Sequence, residues 1–393
     1  MKTCLTFIFL VVFFSHIIQA QAVWDICGTG LPYGTVREIA INGNYIYAAT
    51  YQGIYQSTNN GTNWTKKSNG ITNDTIKCFA FSNNKVFAGT WAGVYMSTNN
   101  GDTWILKNSG LNGKIFSMTN IGSNIFAVVY NYLDGLSTGV YLSTDDGENW
   151  TKKSQGITSS FTSDIIAKEN NLFLSTGDGM FMSTDLGENW VEKNNGLTIK
   201  DVRSITINDD KIFIGLQAGG VYMSTDNGEF WIPKKNGLEL QSLWGYSLAS
   251  YQNTIFLGTL GRGFFISSDF GENWILTNVG LGGNAIGTIA TNNTYIYAGT
   301  DMGAFRIPVS EVIVDVNEIN TESHFSIYPN PASDFISISD INDKIQIYDI
   351  MGREVWIGII NDGMRIDVSG FSQGVYYIIS NKNQVTKNFM ILR

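Results

Sequence analysis

Few residues in this chain could do chemistry, and their types exclude much before any fold is considered. Five carboxylates, Asp134, Asp164, Asp178, Asp201 and Asp301, are eligible for acid–base work. A glycosidase would need two of them facing one cleft, about 5–5.5 Å apart for retention or about 6.5–9.5 Å for inversion, and no spacing singles out a pair. The only histidines are His16 and His324, both outside the long middle of the chain. His-containing triads and His-ligated zinc are therefore excluded there, and neither a metal nor a cofactor is expected. Three cysteines, Cys4, Cys27 and Cys78, are too few for a disulfide framework. Arg37 and Arg203 stand at equivalent places in a repeating pattern, with Lys77 at a third. They could form a cationic rim for an anion. By default they are solvated strand ends paired with Glu38, Asp164 or Asp201. A net charge of −9 without any basic run argues against a nucleic-acid partner.

The elements that must position these residues come from a repeat. Ser143 to Trp150 reads Ser-x-Asx-x-Gly-x-x-Trp, and the pattern recurs at Ser57–Trp64, Ser97–Trp104, Ser183–Trp190, Ser224–Trp231 and Ser267–Trp274. With Trp24, the tryptophans are spaced 40, 40, 46, 40, 41 and 43 residues apart. Each is followed by a polar stretch ending in Gly-Leu or Gly-Ile, then by three short runs of alternating apolar residues bounded by Gly and Asn. In the first unit these runs are Val36 to Ile41, Tyr45 to Ala49 and Gly53 to Ser57, each read as a strand. Four strands per unit of about forty residues is the pattern of a propeller blade. The fold expected is all-β: a seven-bladed β-propeller closed by the N-terminal strand. Trp24 to Cys27 has no strands before it, and the last unit, from Ile286 to Ile307, lacks its fourth; pairing them removes an open edge.

Within the box, Asn59, Asn99, Asp145, Asp185, Asp226 or Asp269 stands third, and either side chain can accept backbone N–H groups in an Asx-turn. Two copies carry Asn, which keeps the turn but not the charge, so the box is read as structural rather than catalytic. The repeats resemble the Asp-box (BNR) repeats of sialidases, xyloglucanases, sortilin-type receptors and photosystem II assembly-factor propellers. That resemblance implies the fold but no single function, because the group includes hydrolases, receptors and assembly factors. Phe305-Arg306-Ile307-Pro308 matches the F-R-I-P motif of sialidases. There it precedes the boxes; here it follows all six. In register, Arg306 aligns with Gln56, Met96 and Leu142 on an ordinary third strand, so the match reads as coincidence.

The box hairpins join third and fourth strands on one face of the disc. The opposite face, made by the second-to-third-strand turns and the inter-blade loops, varies from unit to unit and is where a site is expected. It carries Tyr51, Trp91, Asp178, Gln217, Arg262 and Asp301, with Tyr33, Phe161 and Trp244 from inter-blade loops. An insertion from Tyr130 to Gly139 adds Tyr132 and Asp134. Aromatics beside carboxylates and amides suit stacking on sugar rings; the blander reading packs half of these rings between blades.

The two ends concern export. Met1 to Ala22 has a basic residue, an apolar core and an Ala20-Gln21-Ala22 cleavage site, and reads as a signal peptide; its apolar run is too short for an anchor. No transmembrane segment is expected in the mature chain. Residues 23–308 are assigned to the propeller, 309–323 to a linker and 324–393 to a small C-terminal β-sandwich. This tail carries Pro329-Asn330-Pro331-Ala332-Ser333-Asp334, then Tyr348-Asp349-Ile350-Met351-Gly352-Arg353-Glu354-Val355, then Gly374-Val375-Tyr376-Tyr377. It resembles the type A C-terminal sorting domain of the type IX secretion system of Bacteroidetes. The resemblance implies that the secretion machinery is a partner and that the protein is secreted or held at the outer cell surface. The function expected is non-catalytic binding of a glycan or protein ligand, the alternative a sialidase-like or xyloglucanase-like hydrolase using paired carboxylates.

Overall fold

The computed structural model describes residues 23–72, 75–131, 137–238, 245–312, 326–340, 342–349, 353–380 and 386–392. They fall into two compact units divided between Ile313 and Val314.

The first unit contains seven four-stranded antiparallel sheets among the described residues. In blade 1 the order from the inside is Val36–Asn42, Tyr45–Thr50, Gly53–Ser57 and Thr65–Lys66. The inner strands of blades 2 to 7 are Ile76–Ser82, Lys114–Ile121, Thr162–Lys168, Val202–Asn208, Gly245–Tyr251 and Ile286–Thr291. Each inner strand touches the inner strands of both neighbours, and Ile286–Thr291 touches Val36–Asn42, which completes the ring. The second and third strands are buried on both faces between adjacent blades. Their sequences therefore run almost continuously apolar instead of alternating.

Blade 7 is completed by Asp25–Ile26, which pairs with Arg306 and Phe305 on Gly303–Pro308. The fourth strands begin one residue after the tryptophan rather than at it. The tryptophan N–H is taken by the previous unit: Trp104 N donates to Asn69 O at 2.9 Å and Trp24 N to Val279 O at 2.9 Å. At six of the seven the ring N–H does the same, Trp104 Nε1 donating to Lys67 O at 2.9 Å and Trp190 Nε1 to Lys153 O at 2.9 Å, while Trp64 Nε1 donates to Gly61 O at 3.0 Å within its own box. Each tryptophan thus staples its blade to the one before. The glycine of the Gly-Leu or Gly-Ile pair makes this possible. At Gly70 (φ +95°) a Cβ would lie 2.2 Å from the carbonyl oxygen of Trp104, so no side chain fits.

Residues 309–312, expected to start the linker, instead form a helical turn, Val309–Val312. Val309 is buried against Phe256 and Phe264, and its N–H donates to Thr294 O at 2.9 Å. Apolar contact pulls this turn onto the last blades.

The second unit has a three-stranded sheet, Ser326–Tyr328, Phe335–Ser339 and Met364–Asp367. Its four-stranded sheet runs Glu354–Ile360, Asp343–Asp349, Gly374–Ser380 and Thr386–Ile391. Ile336, Ile338 and Ile366 from one and Ile345, Ile347, Ile378, Phe389 and Ile391 from the other share one core, as in a sandwich.

Candidate functional site

Every inner strand of the propeller slips register near its start, between Val36 and Glu38 in blade 1 and at the equivalent place in the other six. A bulge of this kind re-aims the extra residue. The seven residues so treated are Arg37, Lys77, Phe116, Ser163, Arg203, Tyr246 and Gly287, and all seven line a central cavity of about 360 Å³. The ring of bulges is thus a ring of side chains at the channel, basic or aromatic at five of its seven places.

The residue after each bulge has a different task. Thr288 Oγ1 accepts the N–H of Ile39 in the next blade at 3.2 Å, Ser117 Oγ that of Ile165 at 3.3 Å, and Asp164 Oδ2 that of Ile205 at 3.3 Å. Asp164 Oδ1 also accepts from Ser117 Oγ at 2.6 Å and from Ile165 N at 2.9 Å. This carboxylate therefore ties blades 3, 4 and 5 together. Burial raises its pKa, with these hydrogen bonds pulling the other way. Glu38, across the same cavity, is pushed up to about 8, first by burial and then by the charge of Asp164, with Lys77 opposing. Both keep a partial exposure to the channel, so water moderates the penalty. Burial also pushes the Cys78 thiol well up, which leaves it a poor nucleophile.

Above the bulges, on the face opposite the boxes, lies a depression of about 280 Å³ that shares Arg37, Lys77, Tyr246 and Gly287 with the channel and adds Tyr51, Trp91 and Asp301. Arg37 Cζ sits 3.9 Å from the Tyr51 ring centre and 5.8 Å from that of Trp91, and Lys114 Nζ 3.9 Å from Trp91. The cations are held by ring faces, while Tyr51 and Trp91 remain 60% and 42% exposed. The Asp301 carboxylate turns aside: its Oδ1 lies against Gly283, where a Cβ would be 2.1 Å away.

Of the residues expected on this face, Tyr51, Trp91 and Asp301 are brought together. Asp178 and Arg262 are exposed on the turns of blades 4 and 6 and do not line the depression. Tyr132, Asp134 and Trp244 lie outside the described residues. Tyr33 is exposed away from the cavity. Phe161 follows the blander reading, packing edge-on against Phe116 and Tyr130 at 6.3 and 5.7 Å with Arg203 Cζ 4.8 Å from its ring. Arg203 takes its default partner, Asp201, at 2.7 Å, and also Gln217. Arg37 does not: among the described residues neither it nor Lys77 is in an ion pair. Arg306 is an inter-blade clamp, donating to Asn60 O as Gln56 Nε2 donates to Asn100 O at 2.6 Å in the next joint. Lys114, Tyr246 and the raised Glu38 were missed. Writing the seven units in register would have placed Tyr246 beside Arg37 and Lys77 in one column.

In the boxes, Asn59, Asn99, Asp145, Asp185, Asp226 and Asp269 each bond the serine two residues before, at 2.7–2.9 Å. Each also accepts the N–H four residues on, at 2.9–3.0 Å. The side chain of Asn149 holds Asp145 below the usual carboxylate range, and Asn189 does so for Asp185. Among the described residues no three His, Cys, Asp or Glu side chains are grouped to hold a metal. None of their helices is long and apolar enough to cross a membrane.

Residues 326–392 match the family described as the secretion system C-terminal sorting domain. No curated protein sequence matches the chain. Among solved structures, PorZ, an essential surface component of the type IX secretion system of Porphyromonas gingivalis, is 14% identical with a TM-score of 0.56, over 92% of this chain and 60% of that one. YCF48 bound to a D1 peptide is 14% identical with a TM-score of 0.60, over 72% and 94%. A GH74 xyloglucanase from Xanthomonas campestris is 14% identical with a TM-score of 0.57, over 81% and 60%. Such likeness establishes the β-propeller fold alone. The sorting tail supplies the destination: this is a β-propeller protein with a type IX secretion sorting domain, secreted or placed at the outer cell surface.

Proposed function

We propose that the propeller binds a glycan, without turning it over, through the depression opposite the boxes. One observation supports this reading: Tyr51 and Trp91, each with a cation held against its ring, stay 60% and 42% exposed at the rim of a depression whose polar groups are already oriented. Ring stacking with a few placed polar groups is how a sugar is held in a preformed site. Among the described residues Asp301 is the one carboxylate that lines the depression, and it faces Gly283.

Hydrolysis has one feature in its favour. Burial and the charge of Asp164 raise the Glu38 pKa to about 8, the direction that suits a general acid. Asp164, however, already serves three donors from blades 3, 4 and 5 and has little freedom to act as nucleophile or base.

The test is to incubate the purified protein with a polysaccharide panel and measure retention and released sugars together. Retention without release is expected, with Trp91→Ala reducing retention at least about tenfold, the scale of one lost stacking contact. Sugar release that Glu38→Gln abolishes would replace binding by hydrolysis.

A further inference from the structure

Building on that reading, we infer that the glycan is acidic: a uronate-containing polysaccharide whose carboxylates are taken by Arg37 and Lys77 while its ring faces stack on Tyr51 and Trp91. The chain as a whole carries −9, yet Arg37, Lys77 and Lys114, from three successive blades, gather on this one side of the mouth. Arg37 and Lys77 sit on bulges that turn them to the cavity, and neither is neutralised by an ion pair among the described residues. Arg203, on the same ring, shows the contrast, being satisfied by Asp201 and Gln217. The nearby acids are turned or engaged: Asp301 Oδ1 faces Gly283, Asp164 accepts three hydrogen bonds between blades, and burial raises the Glu38 pKa to about 8. A guanidinium fixed over a tyrosine ring is pre-organised to receive a carboxylate in its plane.

The same geometry disfavours an acidic peptide. A peptide held in extended form needs main-chain partners, and the rim offers few. Gln52 N is taken by Thr50 Oγ1 at 3.0 Å, Ala92 N by Thr90 Oγ1 at 3.0 Å, Trp91 N by Thr75 O at 3.2 Å and Met302 N by Thr300 Oγ1 at 3.0 Å. What remains outward is ring face and cationic side chain.

The experiment measures binding of the full chain to polygalacturonate, to the same polymer after carboxyl reduction, to neutral xyloglucan and to poly-glutamate. Binding to polygalacturonate is expected, weakening as salt rises and falling at least tenfold on carboxyl reduction. The double variant Arg37→Gln/Lys77→Gln should lose at least tenfold with its melting temperature unchanged, while Lys66→Gln, on an outer strand, should lose nothing. Equal binding of xyloglucan or of the reduced polymer would overturn the acidic assignment and leave glycan binding standing. Equal or tighter binding of poly-glutamate would overturn it in favour of a peptide. Retention of no polysaccharide would remove both readings.

Discussion

The two faces of the propeller are made by the same strands and obey opposite rules. On the box face, six hairpins repeat one set of hydrogen bonds to within a few tenths of an ångström. Each tryptophan backbone N–H donates to the neighbouring unit, and Lys107–Glu148, Lys153–Glu188, Lys193–Glu229 and Lys234–Glu272 bridge successive blades. On the other face the backbone bulge repeats but its occupant does not: Arg, Lys, Phe, Ser, Arg, Tyr and Gly follow one another. A ring closes only if successive joints fit one geometry, so the tryptophans and glycines of the joints have little freedom. The mouth carries no such constraint, and asymmetry there can be used for recognition.

Substitutions should separate the faces. The largest effect is expected at a joint: Trp231 is fully buried, and Trp231→Ala should cost about 3–5 kcal/mol of unfolding free energy, measured by urea denaturation. A loss under about 1 kcal/mol would mean that the tryptophans are not what holds the blades together. Glu38, where the faces meet, should matter next, through pH. Its folded pKa, about 8, lies above the ordinary 4.5, so the folded state binds the extra proton. Its contribution is present in full below about pH 4.5 and is lost as pH rises toward 8 and beyond. Glu38→Gln should therefore raise the melting temperature at pH 9 by a few degrees and change it little at pH 5. An equal shift at both would point to packing instead of charge. Smallest of all, Asp145→Asn should leave the melting temperature at pH 7 within about 2 °C of the parent, because Asn59 and Asn99 already make the same bonds in their boxes. It should remove some sensitivity near pH 3, since the lowered pKa of Asp145 makes its bonds a stabilising feature only while it is charged.

Much of the architecture was legible because it is written several times. The period of the tryptophans gave the blade, and Gly53 to Ser57 was placed to the residue. Arg306 was read correctly as an ordinary third-strand residue because register assigned it to the column of Gln56. The site was harder for a physical reason. It is assembled from one residue per blade, some forty positions apart, and the bulge that turns Arg37 to the channel leaves no mark in the apolar alternation. Charge alone could not tell Arg203, which keeps the expected partner, from Arg37, which stands on Tyr51 instead. The turn at 309–312 is hard to read for a similar reason, since the core that Val309 joins includes Phe256 and Phe264, some fifty positions earlier.

The seam between Trp24 and Gly280 has one more consequence. The tryptophan N–H there meets Val279 O at 2.9 Å, the same bond that joins Trp104 to Asn69 at 2.9 Å, and its carbonyl fills the place of a Cβ on Gly280 as Trp104 does on Gly70. In these contacts the joint without a peptide link copies those that have one. The ring therefore has no first blade: where the polypeptide is cut is a fact about translation, and a permuted chain opened at another joint would face the same closing problem with the same solution.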